Sequence, residues 1–450
     1  MGLQQQAPAL SGQSSLSNKQ YLTLAIPLTI STMTTPLLGA VDTAVVGHLP
    51  DPAYIGGVAV GSLLFNTLYW VLGFLRVSTS GFTAQAYGAR NEKELFYSFI
   101  RPLLIAVLFG ILFIILQDPI KIIAMQLIQP TARVAEQAMI YVDIRIYGAP
   151  FALLNYVILG WLIGSSHVRM SLYLQVGMNV CNIFLNLFFV HGLKFGVAGV
   201  ATASLIAEIG AALVGIILLY KLNVIKRIPI EWRALWEKTI FMKMLKVNRD
   251  LFIRTVCLLV VLTLFTSKGA QMGDTLLAAN AILFQIHFMM AYCLDGFANA
   301  NSILVGRSVG ERSESLYRQT LKQSFKWGFL IAVATSLIVL VSSPLIWPIF
   351  TSIVEVQALL SQYLLWVVLF PVVAAWGLQL YGVFSGATEV APVRNSLIIS
   401  MIVFLVSIYF LIPSYQNHGL WISFLLFTLA RTLVLSAYLP SLSRGLFRSV

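Results

Sequence analysis

The sequence predicts an all-α polytopic membrane protein with about twelve transmembrane helices in two pseudo-symmetric six-helix lobes. Three observations support this fold class. The chain is 58% hydrophobic and only 10% charged, whereas a soluble domain carries about 25% charged residues. Its apolar residues form runs that reach the roughly 20 residues needed to cross a bilayer. Two short patterns also recur in the two halves of the chain.

Apolar runs bounded by charged residues, Gly or Pro define the predicted spans. They lie at 21–46, 54–78, 98–117, 136–164, 168–191, 196–220, 250–267, 276–304, 324–344, 356–386, 393–413 and 418–440. The longest hydrophilic stretch divides these spans into six and six. The predicted organisation is a polar cytoplasmic tail at 1–18, an amino-terminal lobe at 19–220, a basic cytoplasmic linker at 221–249, a carboxy-terminal lobe at 250–441 and a cytoplasmic tail at 442–450.

The net charge of +12 invites the interpretation that the chain binds nucleic acid. The positions of the charges argue against it, because most Lys and Arg residues fall in alternate loops, as the positive-inside rule expects of a membrane protein. The basic loops and both termini are therefore predicted to be cytoplasmic. The partner of this chain is the lipid bilayer, and no nucleic acid is expected.

Two patterns after corresponding spans indicate that the halves are copies of one another. GFTAQAYGARNEKEL at 81–95 matches SILVGRSVGERSESL at 302–316, with Gly, Arg and Glu at a constant spacing. The segments 150–172 and 371–397 both begin with a Pro within a long span and end with Arg-x-Ser-Leu. Both patterns fall at predicted cytoplasmic ends, so the repeats are parallel. Transporters commonly place a substrate path between such halves.

Asp42 is the most informative single residue, because it lies in an apolar first span that holds no other charged residue. A carboxylate near the middle of a bilayer costs several kcal/mol, which makes it a functional candidate by default. The alternative is a carboxylate paired with a Lys or Arg of another helix for packing alone. No such residue lies in the same span, and the matched residue of the second half is Leu264. Burial favours the neutral form of a carboxyl group, so Asp42 is a candidate proton carrier.

Pro27 and Pro36 occupy the same span as Asp42. Each removes a backbone hydrogen bond and crowds the preceding turn, so each can bend the helix. A static kink and a moving one are both consistent with the sequence.

Polar residues are concentrated in the last three spans of the first half. Asn182 and Asn186 are one turn apart in the fifth span, as are Ser204 and Glu208 in the sixth, and Asn155 lies in the fourth. Such amides and hydroxyls either bridge helices or belong to a coupling site. Their occurrence in the same half as Asp42 favours the second interpretation.

The remaining candidates are weaker. Asp295 has no obvious partner and is a candidate second ionisable site, while Arg254 is expected to snorkel to the cytoplasmic interface and Arg431 to lie near a helix end. Met33 and Met178 would give a cavity soft walls, although Met is also ordinary core filler.

Enzyme and metal signatures are not found in the sequence. It has no Gly-rich phosphate loop, no HExxH and no grouping of Ser, His and Asp, and its three cysteines are scattered in apolar segments. The prediction is therefore a protein that is not an enzyme and that holds no metal and no cofactor.

Four motifs resemble the MATE family, the multidrug and toxic compound extrusion transporters, and most closely its DinF-like branch. They are PLLGAVDTAVVGHL around Asp42, QAYGA from Gln85, NIFLN from Asn182 and GVAGVATAS from Gly196. The resemblance covers essentially the whole chain. It implies two six-helix lobes facing each other in a V, residence in the prokaryotic plasma (inner) membrane, and export of organic cations in exchange for protons or sodium ions.

The resemblance also implies roles for individual residues. It makes Asp42 the coupling carboxylate, Pro27 the bending proline, Asn182 the partner amide and Ser204 the hydroxyl. A second aspartate often found in the family is replaced here by Asn186. A sodium site would therefore have one carboxylate fewer, which favours protons as the coupling ion.

The resulting hypothesis is a monomeric, proton-coupled antiporter that exports lipophilic and cationic drugs by alternating access. The alternatives are a sodium-coupled multidrug antiporter, a flippase of lipid-linked precursors from the same superfamily, and a membrane scaffold or receptor that transports nothing. A flippase usually needs several basic residues in its cavity for phosphates, and the intramembrane candidates are few: Arg76, Arg254 and Arg431. Anionic cavity walls would favour cation export, and cationic walls a flippase.

Overall fold

The computed structural model describes residues 16–47, 52–224, 231, 235 and 237–447; the side chains of 35–44, 46, 47 and 52 lie outside that description. The backbone of Asp42 and Pro36 therefore belongs to a described helix, whereas their side chains do not. Parts of the predicted tails and linker also lie outside the described residues.

Every regular element in the described part of the chain is helical. The first nine α-helices are α1 (Asn18–Gly47), α2 (Pro52–Leu72), α3 (Phe74–Gly88), α4 (Glu92–Ile115), α5 (Gln117–Ile128), α6 (Ala132–Arg145), α7 (Ala149–Gly164), α8 (Val168–Asn186) and α9 (Gly196–Lys221). They are followed by α10 (Lys238–Ala270), α11 (Asp274–Gly310), α12 (Glu314–Phe350), α13 (Val354–Gly386) and α14 (Ala391–Phe447).

These helices confirm the predicted fold class and correspond to the predicted spans. Ten helical segments are long and apolar enough to cross a membrane. The helices α2 and α3 form one such segment, as do α6 and α7, and α14 contains the last two predicted spans. Its helical geometry is interrupted at Gln416, where φ is 47°, between those two spans. The helix α1 carries the first predicted span.

Contacts divide the chain into two compact units. Among the described residues, the first unit runs from Met33 to Met244, and the second runs from Leu245 onward and also includes the beginning of α1 as far as Thr32. The predicted lobe boundaries at 19–220 and 250–441 remain predictions. The contact grouping differs from them chiefly in placing the start of α1 with α11.

The start of α1 is held against α11 by polar and close-packed contacts. The Tyr21 hydroxyl donates to Asn301 Oδ1 at 2.7 Å, and Thr32 Oγ1 donates to the Tyr292 carbonyl at 2.9 Å. Pro27 lies between these two contacts, so this part of α1 belongs to the second unit.

The two halves repeat the same turn geometry. Arg90 and Arg312, at matched positions of the predicted repeat, both have φ of 53°. The following residue caps the next helix in both cases: Asn91 accepts from the Glu94 amide, and Ser313 accepts from the Leu316 amide. A left-handed residue in the middle of this turn is uncommon outside Gly. Its recurrence confirms the pseudo-symmetric repeat.

Glycine pairs provide a second match between the halves. Gly160 and Gly164 of α7 lie against the backbone of α3, and Gly382 and Gly386 of α13 lie against the backbone of α11. The constant spacing that relates the turns also relates these pairs. Small residues one turn apart let membrane helices approach closely.

We expect Gly382→Ala to destabilise the protein by about 1–3 kcal/mol, the usual range for overpacking. Its new methyl group would collide with the carbonyl of Ala298, which is backbone and cannot move aside easily. The matched control is Gly210→Ala in α9, where an added methyl group meets nothing within 4 Å. It should be neutral or stabilising by up to about 1 kcal/mol. Thermal unfolding of both purified variants tests the difference, and equal midpoints would contradict the close approach.

Candidate functional site

A buried row of polar side chains joins α8 to α9 in the first unit. Asn182 Nδ2 donates to Ser204 Oγ at 2.9 Å, and Asn186 Nδ2 donates to Asn182 Oδ1 at 2.7 Å. All three residues are buried. Asn182 is the central member, because its amide acts as donor on one side and as acceptor on the other. The row places a hydroxyl and two amides in an apolar interior, where polar groups are stable only when they are paired.

The backbone changes from α-helical to π-helical geometry directly after these three residues. α8 ends at Asn186 and continues as a π-helix over Leu187–Gly192. Such segments are rare in α-helices and often occur at functional sites. The wider turn begins at the last amide of the row.

One turn after Ser204 on α9, Glu208 forms a bidentate ion pair with Arg145 at the end of α6. Arg145 Nη1 donates to Oε2 at 2.5 Å and Nη2 donates to Oε1 at 2.7 Å. The two side chains are only 12% and 11% exposed. Bidentate pairing in a fork geometry is the strongest form of this interaction. Asn155 of α7 donates to the backbone carbonyl of Glu208 at 2.9 Å and ties a third helix to the pair.

A glycine and two aromatic rings lie close to this ion pair. A Cβ atom at Gly148 would lie 2.7 Å from Glu208 Oε2 and 3.1 Å from Arg145 Nη1, so a larger residue there would have to displace the ends of both side chains. The guanidinium carbon of Arg145 lies 5.6 Å from the ring centre of Phe65 and 5.7 Å from that of Tyr69. Aromatic rings at such distances attract a cation.

The structure therefore brings together five polar residues that the sequence analysis had singled out. They are Asn155, Asn182, Asn186, Ser204 and Glu208, on α7, α8 and α9. The sequence analysis missed Arg145. A signal was present, since this arginine lies about ten residues into the predicted fourth span, where an unpaired cation would be costly.

For the other predicted site residues of the first half, the structure shows less of their surroundings. The side chains of Asp42 and Pro36 lie outside the described residues. Met33 of α1 and Met178 of α8 are half-buried, as is Pro27. Their predicted roles remain predictions.

In the second unit, Asp295 of α11 accepts a hydrogen bond from Asn299 Nδ2 at 3.2 Å. One sequence prediction about an arginine needs correction. Arg431 does not lie near a helix end, because it is buried in the second arm of α14, well before the end of that helix at Phe447. The guanidinium of Arg254 lies over the ring of Tyr381 of α13, and its reach to the cytoplasmic interface stays a prediction. Hydropathy could not reveal either contact, because both depend on how the helices are rotated against one another.

Comparison with known proteins places this architecture in a family. A profile of the MatE family matches residues 27–188 and 252–411. DNA damage-inducible protein F of Escherichia coli is 37% identical over 422 residues, which cover 94% of this chain and 92% of that protein. Protein DETOXIFICATION 44 of Arabidopsis thaliana, a chloroplastic protein, is 27% identical over 92% of this chain and 80% of its own length.

A solved structure supports the same fold. A multidrug resistance MATE family transporter of the MOP superfamily, in an outward-facing conformation, matches with a TM-score of 0.87. The match covers 97% of this chain and 98% of that one, at 20% sequence identity. With a family profile over most of the chain and a relative at 37% identity over nearly its whole length, this chain belongs to the MatE family and is a multi-pass membrane transporter, not an enzyme.

Proposed function

We propose that this transporter is a proton-coupled antiporter that exports lipophilic and cationic compounds by alternating access, with Asp42 as its coupling carboxylate. The observation that carries the proposal is the buried polar network of α7, α8 and α9 in the first unit. The part of α1 that contains Asp42 is grouped with the same unit. A titrating acid needs polar neighbours that can respond when its charge changes, and this unit contains them.

In the proposed cycle, a proton from outside neutralises Asp42. The neutral acid holds a bound cation and the amide of Asn182 less strongly. α1 then bends at Pro27 and closes the amino-lobe cavity on the drug. Loss of the proton towards the cytoplasm restores the carboxylate and allows a new cation to bind.

The ion pair of Glu208 gives it a different role from that of Asp42. The guanidinium of Arg145 is always charged and donates to both carboxylate oxygens of Glu208. We therefore assign Glu208 to the support of the site and leave proton exchange to Asp42.

One proton exchanged for one monovalent cation is electroneutral, so the pH gradient alone drives the exchange. It supplies about 1.4 kcal/mol, or a tenfold concentration ratio, per pH unit.

Asn186 favours protons over sodium as the coupling ion. Its amide group donates to Asn182 Oδ1, and it supplies no negative charge. A site with a single carboxylate suits one proton better than a hard cation, which prefers several oxygen ligands.

The test is efflux of ethidium from proteoliposomes under an imposed pH gradient, with and without sodium. We expect efflux to follow the pH gradient in sodium-free buffer. Strict dependence on sodium would instead favour the sodium-coupled alternative, and no efflux under either gradient would contradict drug export.

The lipid-linked precursor flippase is retained as a second candidate because of one observation. Arg254 and Arg431 converge on a single ring in the second unit. Cationic groups suit a phosphate-bearing substrate better than a cationic drug.

For localisation, we propose the prokaryotic plasma (inner) membrane, with both termini cytoplasmic and the protein acting as a monomer. The basic loops support this orientation, and the 37% identity to the Escherichia coli protein supports a bacterial membrane. Protease accessibility of tags at either end, in intact cells and in inverted vesicles, measures the orientation.

A further inference from the structure

Two arginines from different helices meet at one tyrosine in the second unit. The Cζ atom of Arg254 of α10 lies 4.4 Å from the ring centre of Tyr381, and that of Arg431 of α14 lies 5.8 Å from the same centre. Arg431 is only 8% exposed and Arg254 is half-buried. Three helices thus bring two permanent positive charges into one place within apolar, membrane-spanning segments.

Neither guanidinium group forms an ion pair or a hydrogen bond with another residue that the structure describes. Buried Nε of Arg254 and buried Nε and Nη2 of Arg431 have no acceptor within the described part of the chain. The tyrosine ring contributes a cation–π attraction, but that interaction uses the face of a guanidinium and leaves its in-plane N–H groups unpaired. An unpaired charged donor in an apolar interior is strongly unfavourable.

Asp295 of the same unit does not pair with these arginines. Asp295 of α11 acts on Arg431 electrostatically, but it forms no ion pair with it within 4 Å among the described residues. Its carboxylate accepts from Asn299 instead. The two arginines also repel each other. Two positive charges and one negative charge leave the cluster with a net positive charge.

The repeated scaffold does not require this cluster. The spacing that relates the turns of the two halves leads from Arg254 and Tyr381 to Thr32 and Leu159. The Arg-x-Ser-Leu matches are spaced three residues further apart, and that spacing leads from Arg431 to Ile206. None of the three is charged or aromatic. The first half therefore builds the same fold without two arginines and a tyrosine, which indicates that their role belongs to the second unit alone.

We propose that Arg254, Arg431 and Tyr381 form a binding site for an oxyanion, namely the phosphate or carboxylate group of a ligand. The planar guanidinium groups match such groups in a bidentate manner, and a bound oxyanion would accept from the N–H groups that lack a partner. The tyrosine ring keeps the two arginines apart and orients them. The site does not depend on proton coupling through Asp42.

The test uses the full chain in phosphatidylcholine nanodiscs and follows the thermal unfolding midpoint by tryptophan fluorescence. One arm adds inorganic phosphate at constant ionic strength, which removes general salt effects. The other arm replaces part of the phosphatidylcholine with phosphatidic acid. A shift in the first arm identifies a small-molecule anion, and a shift only in the second identifies a lipid headgroup. Either result supports the site, and no shift in both arms overturns it.

Three variants make the result specific to these arginines. Arg254→Gln removes one charge at a half-buried position, and Arg431→Lys keeps the charge but loses the planar fork. Each should raise the dissociation constant of the effective anion about tenfold or more, as expected for loss of a charge-assisted hydrogen bond. Arg444→Gln is the matched control, because it removes the same charge from an exposed position on α14. A control that weakens binding as much as the test variants overturns the proposal.

Discussion

Replacing Asp42 by Asn is expected to abolish efflux driven by a pH gradient while leaving the protein folded. Asn has nearly the same shape as Asp but cannot exchange a proton in this pH range or carry a negative charge. The concentration ratio of about tenfold per pH unit that one coupled proton can sustain should therefore disappear. Ethidium efflux and proton movement, followed together in proteoliposomes with a pH-sensitive dye trapped inside, measure both sides of the exchange.

The control for this variant is Asp274→Asn. Asp274 lies exposed in the first turn of α11 and undergoes the same chemical change. It should transport as the wild type does. Retention of full gradient-driven efflux by Asp42→Asn would remove this acid from the mechanism. Loss of efflux together with a large fall in the unfolding midpoint would assign Asp42 to stability instead of coupling.

The second large effect is expected at the ion pair between Arg145 and Glu208. Glu208→Gln leaves the guanidinium of Arg145 buried without its counter-charge, and breaking one side of a buried pair costs about 3–5 kcal/mol. The double variant Arg145→Met with Glu208→Leu removes both charges and should recover most of that loss, since apolar replacements of buried pairs are often tolerated. Thermal unfolding of Glu208→Gln, of the single variants Arg145→Met and Glu208→Leu, and of their double variant measures both effects.

An exposed pair provides the comparison. Arg318 and Glu314 form an ion pair on α12 in which the side chains are 76% and 51% exposed. Glu314→Gln should change stability by no more than about 1 kcal/mol. A single variant Glu208→Gln as stable as this one would contradict the buried pair. Loss of proton exchange in a stable double variant would contradict the purely supporting role assigned to Glu208.

The sequence was a good guide to the helices and a poorer guide to their side-chain partners. The hydropathy pattern predicted the spans, and the match of Gly88, Arg90 and Glu92 with the second half predicted a repeat that the shared turn geometry confirms. The polar residues on α8 and α9 were recognisable because helical periodicity places residues four apart on one face. Their actual pairing, in which Asn182 links Ser204 to Asn186, was not.

The partners of the arginines lay beyond sequence reasoning. Arg145 and Glu208 are 63 residues apart in the chain, and no periodicity within one helix relates them. Arg254 was expected to snorkel to the cytoplasmic interface and Arg431 to lie near a helix end. Their shared contact with Tyr381, through the packing of α10 and α14 against α13, was not predicted.

By itself, the sequence determined that this chain crosses a membrane many times, that its halves are related and that an acid lies in its first span. These properties follow from local composition and spacing, because a bilayer imposes the length and polarity of every segment that crosses it. Only the tertiary structure decided which charges are paired. Pairing depends on the rotation and close approach of helices distant in the chain, which side-chain volume and glycine contacts govern.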